Sequence, residues 1–323
     1  MKAIQIQNPG GPEVMSFDEV AVPQPGPGEA LVKVAAAGVN FIDIYHRSGQ
    51  YKVAQLPHVL GSEAAGIIEA VGPGVTEVRV GDRVASSALP HAYAQYAVGP
   101  VAKLVPVPDG IDLRVAAAVM LQGMTAHYLS HSTYPIESGD VCLIHAAAGG
   151  VGLLLTQMAK MRGARVIGTV SSNEKAQLAR DAGADELIDY SQTDFAAETR
   201  RLTGGQGVAV VYDSVGKDTF TGSLDSLRKR GYLVLFGQSS GAVPAFDLQV
   251  LNTKGSLFVT RPTLFDYTLD RAELLSRAEA LFGWIASGDL NVRIDHAYPL
   301  ADASQAHTAL SSRKTSGKVL LIP

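Results

Sequence analysis

One cysteine, Cys142, is all the thiol chemistry available to this chain of 323 residues. No disulfide can form within it, and a four-cysteine zinc lobe is excluded. Cys142 sits in an apolar run, where a buried and inert thiol is expected. Metal-ligand spacing is equally scarce. Of the 8 histidines, none forms a ligand-spaced pair, and His127 and His131, four apart, have no further obvious ligand nearby. Apolar runs long enough to span a bilayer are absent, because Gly, His or Gln interrupts each one. Residues 1–6 carry neither a long apolar core nor a cleavage signature, so no secretory signal is expected and the cytoplasm is the default compartment. Charge of one sign is not in excess. The 27 Lys and Arg against 31 Asp and Glu leave a net charge of −4. That balance supplies no basic stripe for nucleic acid and no attraction to an acidic membrane. No nucleophile–base pair is apparent, so covalent catalysis is not indicated.

What is present is the run Val-Cys-Leu-Ile-His-Ala-Ala-Ala-Gly-Gly-Val-Gly at 141–152. An apolar strand leads into a turn of small residues, and a helix pattern follows in Leu153, Leu154, Leu155, Met158 and Ala159. Strand, tight turn and helix N-terminus in this order hold a dinucleotide diphosphate. The first amides of the helix have no partner within it, and the helix dipole favours an anion there. Gly149 and Gly152 allow close approach because neither has a Cβ. The usual G-x-G-x-x-G becomes A-x-G-G-V-G, with Ala147 in the first position.

The next strand, 164–170, ends in Thr169 and Val170, with Ser171 and Ser172 after it. An Asp or Glu there would accept hydrogen bonds from the ribose 2′-hydroxyl of NAD. None is present, and Lys175 follows one short turn later. Hydroxyls and a cation suit a 2′-phosphate, and the missing acid removes a repulsion. The expectation is NADPH. A plainer local reading coexists with it: Ser171 caps the following helix, Glu174 completes a capping box, and Lys175 is a solvated charge.

Residues up to about 108 carry strand and turn signals with little helical periodicity. Strands are expected at 30–35 and 65–71, among turn clusters at 9–12, 25–28, 72–74 and 81–82. Helical spacing appears at 116–128. Strands at 186–189, 207–213, 232–236 and 256–260 then alternate with helices around 175–182, 195–202 and 220–229. Near-continuous apolar strands in this alternation predict a parallel sheet buried on both faces. The tail after about 262 shows one clear helix, 271–287, and a closing strand, 318–322. Ligands in such sheets lie beyond the carboxyl ends of the strands. The segments 214–216, 237–241 and 260–261 are therefore site candidates, alongside the first turn.

Several runs carry a family resemblance. They are Gly-Gly-Pro-Glu-Val at 10–14, Asn-Phe-Ile-Asp at 40–43 with Tyr45, Arg47, Ser48, Gly49 and Tyr51 after it, and Gly-Ser-Glu-Ala-Ala-Gly at 61–66. Others are Gly-Asp-Arg-Val at 81–84, the run 145–152, Val-Tyr-Asp-Ser-Val-Gly at 211–216, Val-Thr-Arg-Pro at 259–262 and the terminal Leu-Leu-Ile-Pro. Over essentially its whole length the chain resembles the zeta-crystallin-like quinone oxidoreductases of the medium-chain dehydrogenase/reductase superfamily. The resemblance implies an α/β protein. A GroES-like β domain (1–123) would precede a Rossmann doubly wound parallel-sheet domain (124–262), and a return segment (263–323) would complete the first domain. It also implies NADPH in the cleft between the two, and a homodimer, by edge pairing through the strand at 256–260.

The same resemblance assigns residues. Asn40 and Thr125 would face the nicotinamide end. Ala148, Gly149, Gly150 and Val151 would bind the diphosphate. Gly168, Ser172, Lys175 and Tyr190 would surround the adenosine ribose and its 2′-phosphate. Gly237, Gln238 and Ser239 would line the ribose side, Phe258, Val259 and Thr260 would cradle the carboxamide, and Arg313 would contact the cofactor from the tail. Tyr45 and Tyr51 are the candidates on the acceptor side. A phenol hydrogen-bonds a developing hydroquinone oxygen and offers a stacking face, or else merely walls the pocket. Asp43 and Arg47, flanking them, are expected as a structural ion pair. Relatives often carry Lys where this chain has Gln122.

In zinc dehydrogenases of the superfamily, Asn40 would be the first Cys ligand and Ser62-Glu63 would be a His-Glu pair. Without a Lewis acid, alcohol oxidation is difficult. A quinone, which gains aromaticity on reduction, suits such a site. The expected function is therefore zinc-independent reduction of a small-molecule quinone by NADPH, with no metal. Reduction of an enal or enone double bond on the same scaffold is the alternative, with a tyrosine as proton donor. A non-catalytic NADPH-binding protein is a third reading.

Overall fold

The computed structural model describes residues 1–323. They divide into two compact units, Met1–Met124 with Thr268–Pro323, and Thr125–Tyr267. The first begins with β1 (Lys2–Ile6), β2 (Met15–Glu19), β3 (Glu29–Val39), α1 (Phe41–Ser48), β4 (His58–Val59), β5 (Glu63–Val71), β6 (Arg83–Ser86), β7 (Tyr96–Pro100), β8 (Val105–Pro106) and α2 (Leu113–Tyr128). The second contains β9 (Val141–Ile144), α3 (Gly150–Met161), β10 (Arg165–Val170), α4 (Asn173–Asp181), β11 (Glu186–Asp189), α5 (Phe195–Leu202), β12 (Val208–Asp213), α6 (Phe220–Ser226), β13 (Leu227–Leu235), α7 (Gln249–Thr253) and β14 (Phe258–Thr260). The chain then returns to the first unit with α8 (Arg271–Ser287), β15 (Ile294–Pro299), α9 (Ala303–Ser311) and β16 (Lys318–Ile322).

The second unit is a parallel sheet in the order β11-β10-β9-β12-β13-β14. Its central strands are mostly apolar because both faces are covered; all of β12 is buried, including Asp213 at its end. Leu143, Ile167, Val211 and Leu233 pack with Phe220 and Leu224 of α6. The strand order reverses between β9 and β12, the place where a doubly wound sheet opens a crevice for a ligand. Cys142 is fully buried in β9, and burial pushes its thiol up to about 12.

The first unit is mostly antiparallel. One sheet runs β15-β16-β3-β5-β6-β8, with β7 also on β3, and a three-stranded sheet runs β2-β1-β4. Ile4, Ile6, Val32, Ile68, Val84, Leu104, Val319 and Leu321 form its core. The terminal β16 pairs with β3 in the register Val319↔Val39, Leu320↔Gly38. Lys318 is thereby brought beside Asn40.

Three local expectations change. The helix expected to about residue 229 ends at Ser226, and β13 starts at Leu227. Arg228, Lys229 and Arg230, near the start of β13, are exposed. The β-rich N-terminal region contains α1, whose eight residues are too few to show periodicity. The tail contains a second helix, α9, where only one was expected.

Candidate active site

The turn after β9 is built for close approach. Gly149 precedes α3 in an extended conformation, and the first intrahelical bond runs from Leu153 N to Gly149 O. The amides of Gly150, Val151 and Gly152 therefore come before that bond, as in any first helical turn. A Cβ on Gly152 would overlap the carbonyl oxygen of Ala146, so this position cannot carry a side chain. Ala146 itself holds a left-handed backbone, with φ +51°.

Other candidates gather at the same ends of the strands. Ser172 follows β10, and its side chain accepts from Lys175 N at 3.3 Å. The cap of α4 is thus Ser172, not Ser171, and its third residue is Lys175, so the expected box with Glu174 does not form. Tyr190 follows β11, 42 % exposed, its amide bonded to Val170 O. Gly237 follows β13 and packs on Ser214, whose carbonyl also accepts from Ser239 N. Gln238 lies between them, and Val259 and Thr260 are half-buried on β14, beside the exposed Phe258. Gly168 and Ala148 are buried, and Thr125 is 7 % exposed on α2.

Asn40, Tyr45, Tyr51 and Arg313 belong to the first unit. Tyr45 and Tyr51 are brought together edge to face, ring centres 5.2 Å apart, with Tyr51 N bonded to Tyr45 O. Arg313 follows α9, exposed, with φ +59°. Asn40 precedes α1 and is buried, and both ends of its amide are engaged. Nδ2 donates to Glu63 Oε2 at 2.7 Å, and Oδ1 accepts from Lys318 Nζ at 2.7 Å. Lys318 also donates to Glu63, an ion pair whose side chains are 1 % and 0 % exposed. Glu63 Oε1 accepts from Leu121 N. Gly38 makes the cluster possible, because a Cβ there would run into Glu63 and Lys318. At the positions of Asn40 and Glu63 the chain thus installs an ammonium group of its own. No group of three or more His, Cys, Asp or Glu side chains is placed to hold a metal ion. His127 and His131 stack face to face, ring centres 4.4 Å apart.

Asp43 and Arg47 do not pair directly, contrary to expectation. They are joined through a buried chain. Tyr93 Oη donates to Asp43 at 2.9 Å, Tyr93 meets His307 Nε2 at 3.1 Å, and Arg47 meets His307 Nδ1 at 3.1 Å. Asp43 also accepts from Asn40 N and from Ser62 Oγ. Burial raises the Asp43 carboxyl to about 7, with the Asn40 and Tyr93 hydrogen bonds and Lys318 pulling it down and Glu63 adding to the rise. Burial, aided by Arg47, lowers His307 to about 3.

These shifts make opposite contributions to stability. Between about pH 4 and 7 folded Asp43 keeps a proton that the unfolded chain has released, so its contribution is lost as pH rises through that window. Between about pH 3 and 6.5 folded His307 lacks a proton that the unfolded chain holds, so its contribution is gained as pH rises. Asp43→Asn removes only the first. Its Tm is expected to climb more steeply than that of the unaltered protein from pH 4 to 6.5. Parallel Tm curves for the two proteins would contradict the buried, proton-retaining Asp43.

Comparison with known proteins agrees with this architecture. The alcohol dehydrogenase GroES-like domain family matches residues 26–109, and the zinc-binding dehydrogenase family matches residues 150–273. A quinone oxidoreductase of Pseudomonas aeruginosa is 50 % identical over 323 residues, covering 100 % of this chain and 99 % of that protein. The chain belongs to the zinc-independent quinone oxidoreductases of the medium-chain dehydrogenase/reductase superfamily. Within this family, the structure of Escherichia coli quinone oxidoreductase complexed with NADPH superimposes with a TM-score of 0.98 at 46 % identity, covering 100 % of both chains. A 2-haloacrylate reductase of a Burkholderia species is 45 % identical, covering 99 % of this chain and 98 % of that protein.

Other buried polar groups have partners that the sequence does not announce. Lys318 heads an apolar terminal strand, and a lone cation there is itself a signal that a buried acid awaits it. His145 and Asp213 at strand ends and Ser223 on α6 are buried in the second unit, and Thr169, expected among the hydroxyls for a 2′-phosphate, is buried too, its hydroxyl engaged by His145 and by Ala146 N instead. Nothing in their spacing connects them.

Proposed function

We propose that this chain reduces quinones with NADPH. The reading rests most on its end-to-end likeness to a quinone oxidoreductase whose structure contains NADPH. The residues present fit that nucleotide. The turn at Ala146–Gly152 leaves no room for a side chain at its closest approach, and three helix-start amides suit a diphosphate. Hydroxyl, cation and phenol at Ser172, Lys175 and Tyr190 suit a 2′-phosphate, with no carboxylate at the end of β10 to repel it.

In this reading Ala148, Gly149, Gly150 and Val151 hold the diphosphate. Gly168 leaves space for the adenosine ribose, and Gly237, Gln238 and Ser239 line the other ribose. Phe258, Val259 and Thr260 hold the carboxamide, with Asn40, Thr125 and Arg313 as further contacts. When bound, NADPH supplies a hydride. The protein orients the acceptor and excludes water. Tyr45 and Tyr51 present two phenols, one to stack and one to hydrogen-bond an acceptor oxygen as charge develops on it. Two copies pair through β14, the edge of the parallel sheet, where Phe258 is 49 % exposed. No helix is long and apolar enough to cross a membrane, and the cytoplasm is the compartment this reading takes.

The likeness to a 2-haloacrylate reductase favours one second reading, reduction of an activated carbon–carbon double bond. The deciding measurement is the initial rate of NADPH oxidation, with EDTA present, against small quinones, an enal and a 2-haloacrylate. EDTA-resistant turnover with quinones alone supports the main reading. Turnover with only the enal or haloacrylate replaces it with double-bond reduction. Tight NADPH binding without turnover on any acceptor replaces both with a binding role.

A further inference from the structure

The first position of the glycine motif is alanine here, and the residue before it, Ala146, stands at φ +51°. An L side chain rarely adopts that backbone, and glycine is the usual choice. Ala146 also determines the turn. Its carbonyl accepts from Gly149 N at 2.8 Å, and it is the group that Gly152 gives way to. Something other than glycine holds Ala146 in place.

A buried chain of side chains ends on it. Ala146 N donates to Thr169 Oγ1 at 3.3 Å. Thr169 Oγ1 lies 3.1 Å from His145 Nδ1, and His145 Nε2 lies 3.0 Å from Ser223 Oγ. Ser223 Oγ donates to Asp213 Oδ2 at 2.9 Å. His145, Thr169, Ser223 and Asp213 are all at most 2 % exposed. The carboxylate sets every direction in the chain. Ser223 spends its only proton on Asp213, so its oxygen accepts from His145 Nε2–H. Nδ1 then carries the lone pair and accepts the Thr169 proton. The Thr169 oxygen is left as an acceptor, facing the Ala146 amide. Burial keeps the His145 ring below its ordinary range and so neutral, against the pull of Asp213. Phe195 packs against the ring, edge to face. Asp213 meanwhile accepts from Val215 N, Gly216 N and Thr219 Oγ1, so the same carboxylate shapes the turn after β12.

We infer that Asp213, Ser223, His145 and Thr169 form a relay of positioning residues that holds Ala146 left-handed and so presets the turn that receives the cofactor diphosphate. The relay takes the place of a glycine in this chain. The inference rests on the NADPH reading above.

The test compares binding of two nucleotides by calorimetry. NADPH engages the diphosphate turn, whereas adenosine 2′-monophosphate carries only the adenosine and 2′-phosphate. Thr169→Val keeps the side-chain shape and removes the acceptor. It is expected to weaken NADPH about tenfold, the scale of one net hydrogen bond, and to leave adenosine 2′-monophosphate unchanged. Thr169→Ser is expected to restore NADPH affinity. Adding Ala146→Gly to Thr169→Val is expected to recover most of the loss, because glycine reaches the left-handed conformation unaided. Ser223→Ala, which interrupts the relay without touching the turn, is expected to reproduce the Val phenotype in weaker form. Unchanged NADPH affinity in Thr169→Val, equal weakening of both nucleotides, or no recovery with Ala146→Gly overturns the inference. Failure of the unaltered protein to bind NADPH overturns the cofactor reading, and this inference with it.

Discussion

Lys318→Met is expected to be the most destabilising single substitution considered, lowering the unfolding free energy by about 3–5 kcal/mol. The side chain sits 1 % exposed against a Glu63 that is fully buried. Methionine matches the length of the stem but supplies no charge. Glu63 would keep its hydrogen bonds from Leu121 N and Asn40 Nδ2, yet its charge would face a dry interior alone. Adding Glu63→Gln removes that charge. Asn40, freed from Lys318, can then turn its amide oxygen toward the new amide group, and most of the loss is expected to return. The exposed pair Arg79–Asp82, whose side chains are 90 % and 36 % exposed, serves as the contrast. Arg79→Ala is expected to cost at most about 1 kcal/mol. Urea unfolding of these three variants and the unaltered protein is the measurement. A cost below about 1 kcal/mol for Lys318→Met, or no recovery in the double variant, would show that the pair carries little of the stability assigned to it.

The second large effect concerns cofactor choice. Lys175→Ala is expected to raise the apparent KM for NADPH roughly ten- to hundredfold, the worth of a charge-assisted hydrogen bond, and to leave that for NADH nearly unchanged. Lys175 occupies the third position of α4, three residues after the Ser172 cap, and its own amide is the one Ser172 accepts. Backbone and side chain thus do different things: the amide closes the helix start, and in the proposed function the ammonium is the cation for the 2′-phosphate, with no competing acid at the end of β10. Alanine retains the amide and removes the ammonium, so the helix cap survives the substitution. Equal changes with both nucleotides would remove Lys175 from the 2′-phosphate site.

Much of the second unit was legible in the sequence, for a physical reason. A parallel strand buried on both faces is apolar at nearly every position, and a crossover helix must present an apolar stripe, so the alternation is written locally. The turn at 146–152 is legible likewise, because close approach excludes Cβ atoms and leaves glycine as the trace. The lack of an acid after β10 and the single cysteine are also local facts. They bounded the cofactor and excluded the structural zinc lobe before any contact was known.

Tertiary structure decided the rest, since buried polar groups choose partners by register and not by sequence spacing. Helix α1 is too short to announce itself, yet it carries Asn40 at its cap, Asp43 and Arg47. The partners of these residues come from β5, the Tyr93 segment, α9 and β16, up to 278 positions away. The antiparallel register of β16 on β3 sets Lys318 beside Asn40, and nothing in the apolar run 319–322 specifies which acid it will meet. The left-handed Ala146 is invisible for the same reason. Its support, Thr169 through Asp213, is assembled from the ends of three strands and from Ser223 of α6, which become neighbours only when the sheet forms. The sequence alone determined the class of site, a phosphate turn at the ends of parallel strands. Folding determined how that turn is held and how the buried charges of the first unit are paired, because each depends on hydrogen bonds between residues that only the folded chain brings within reach.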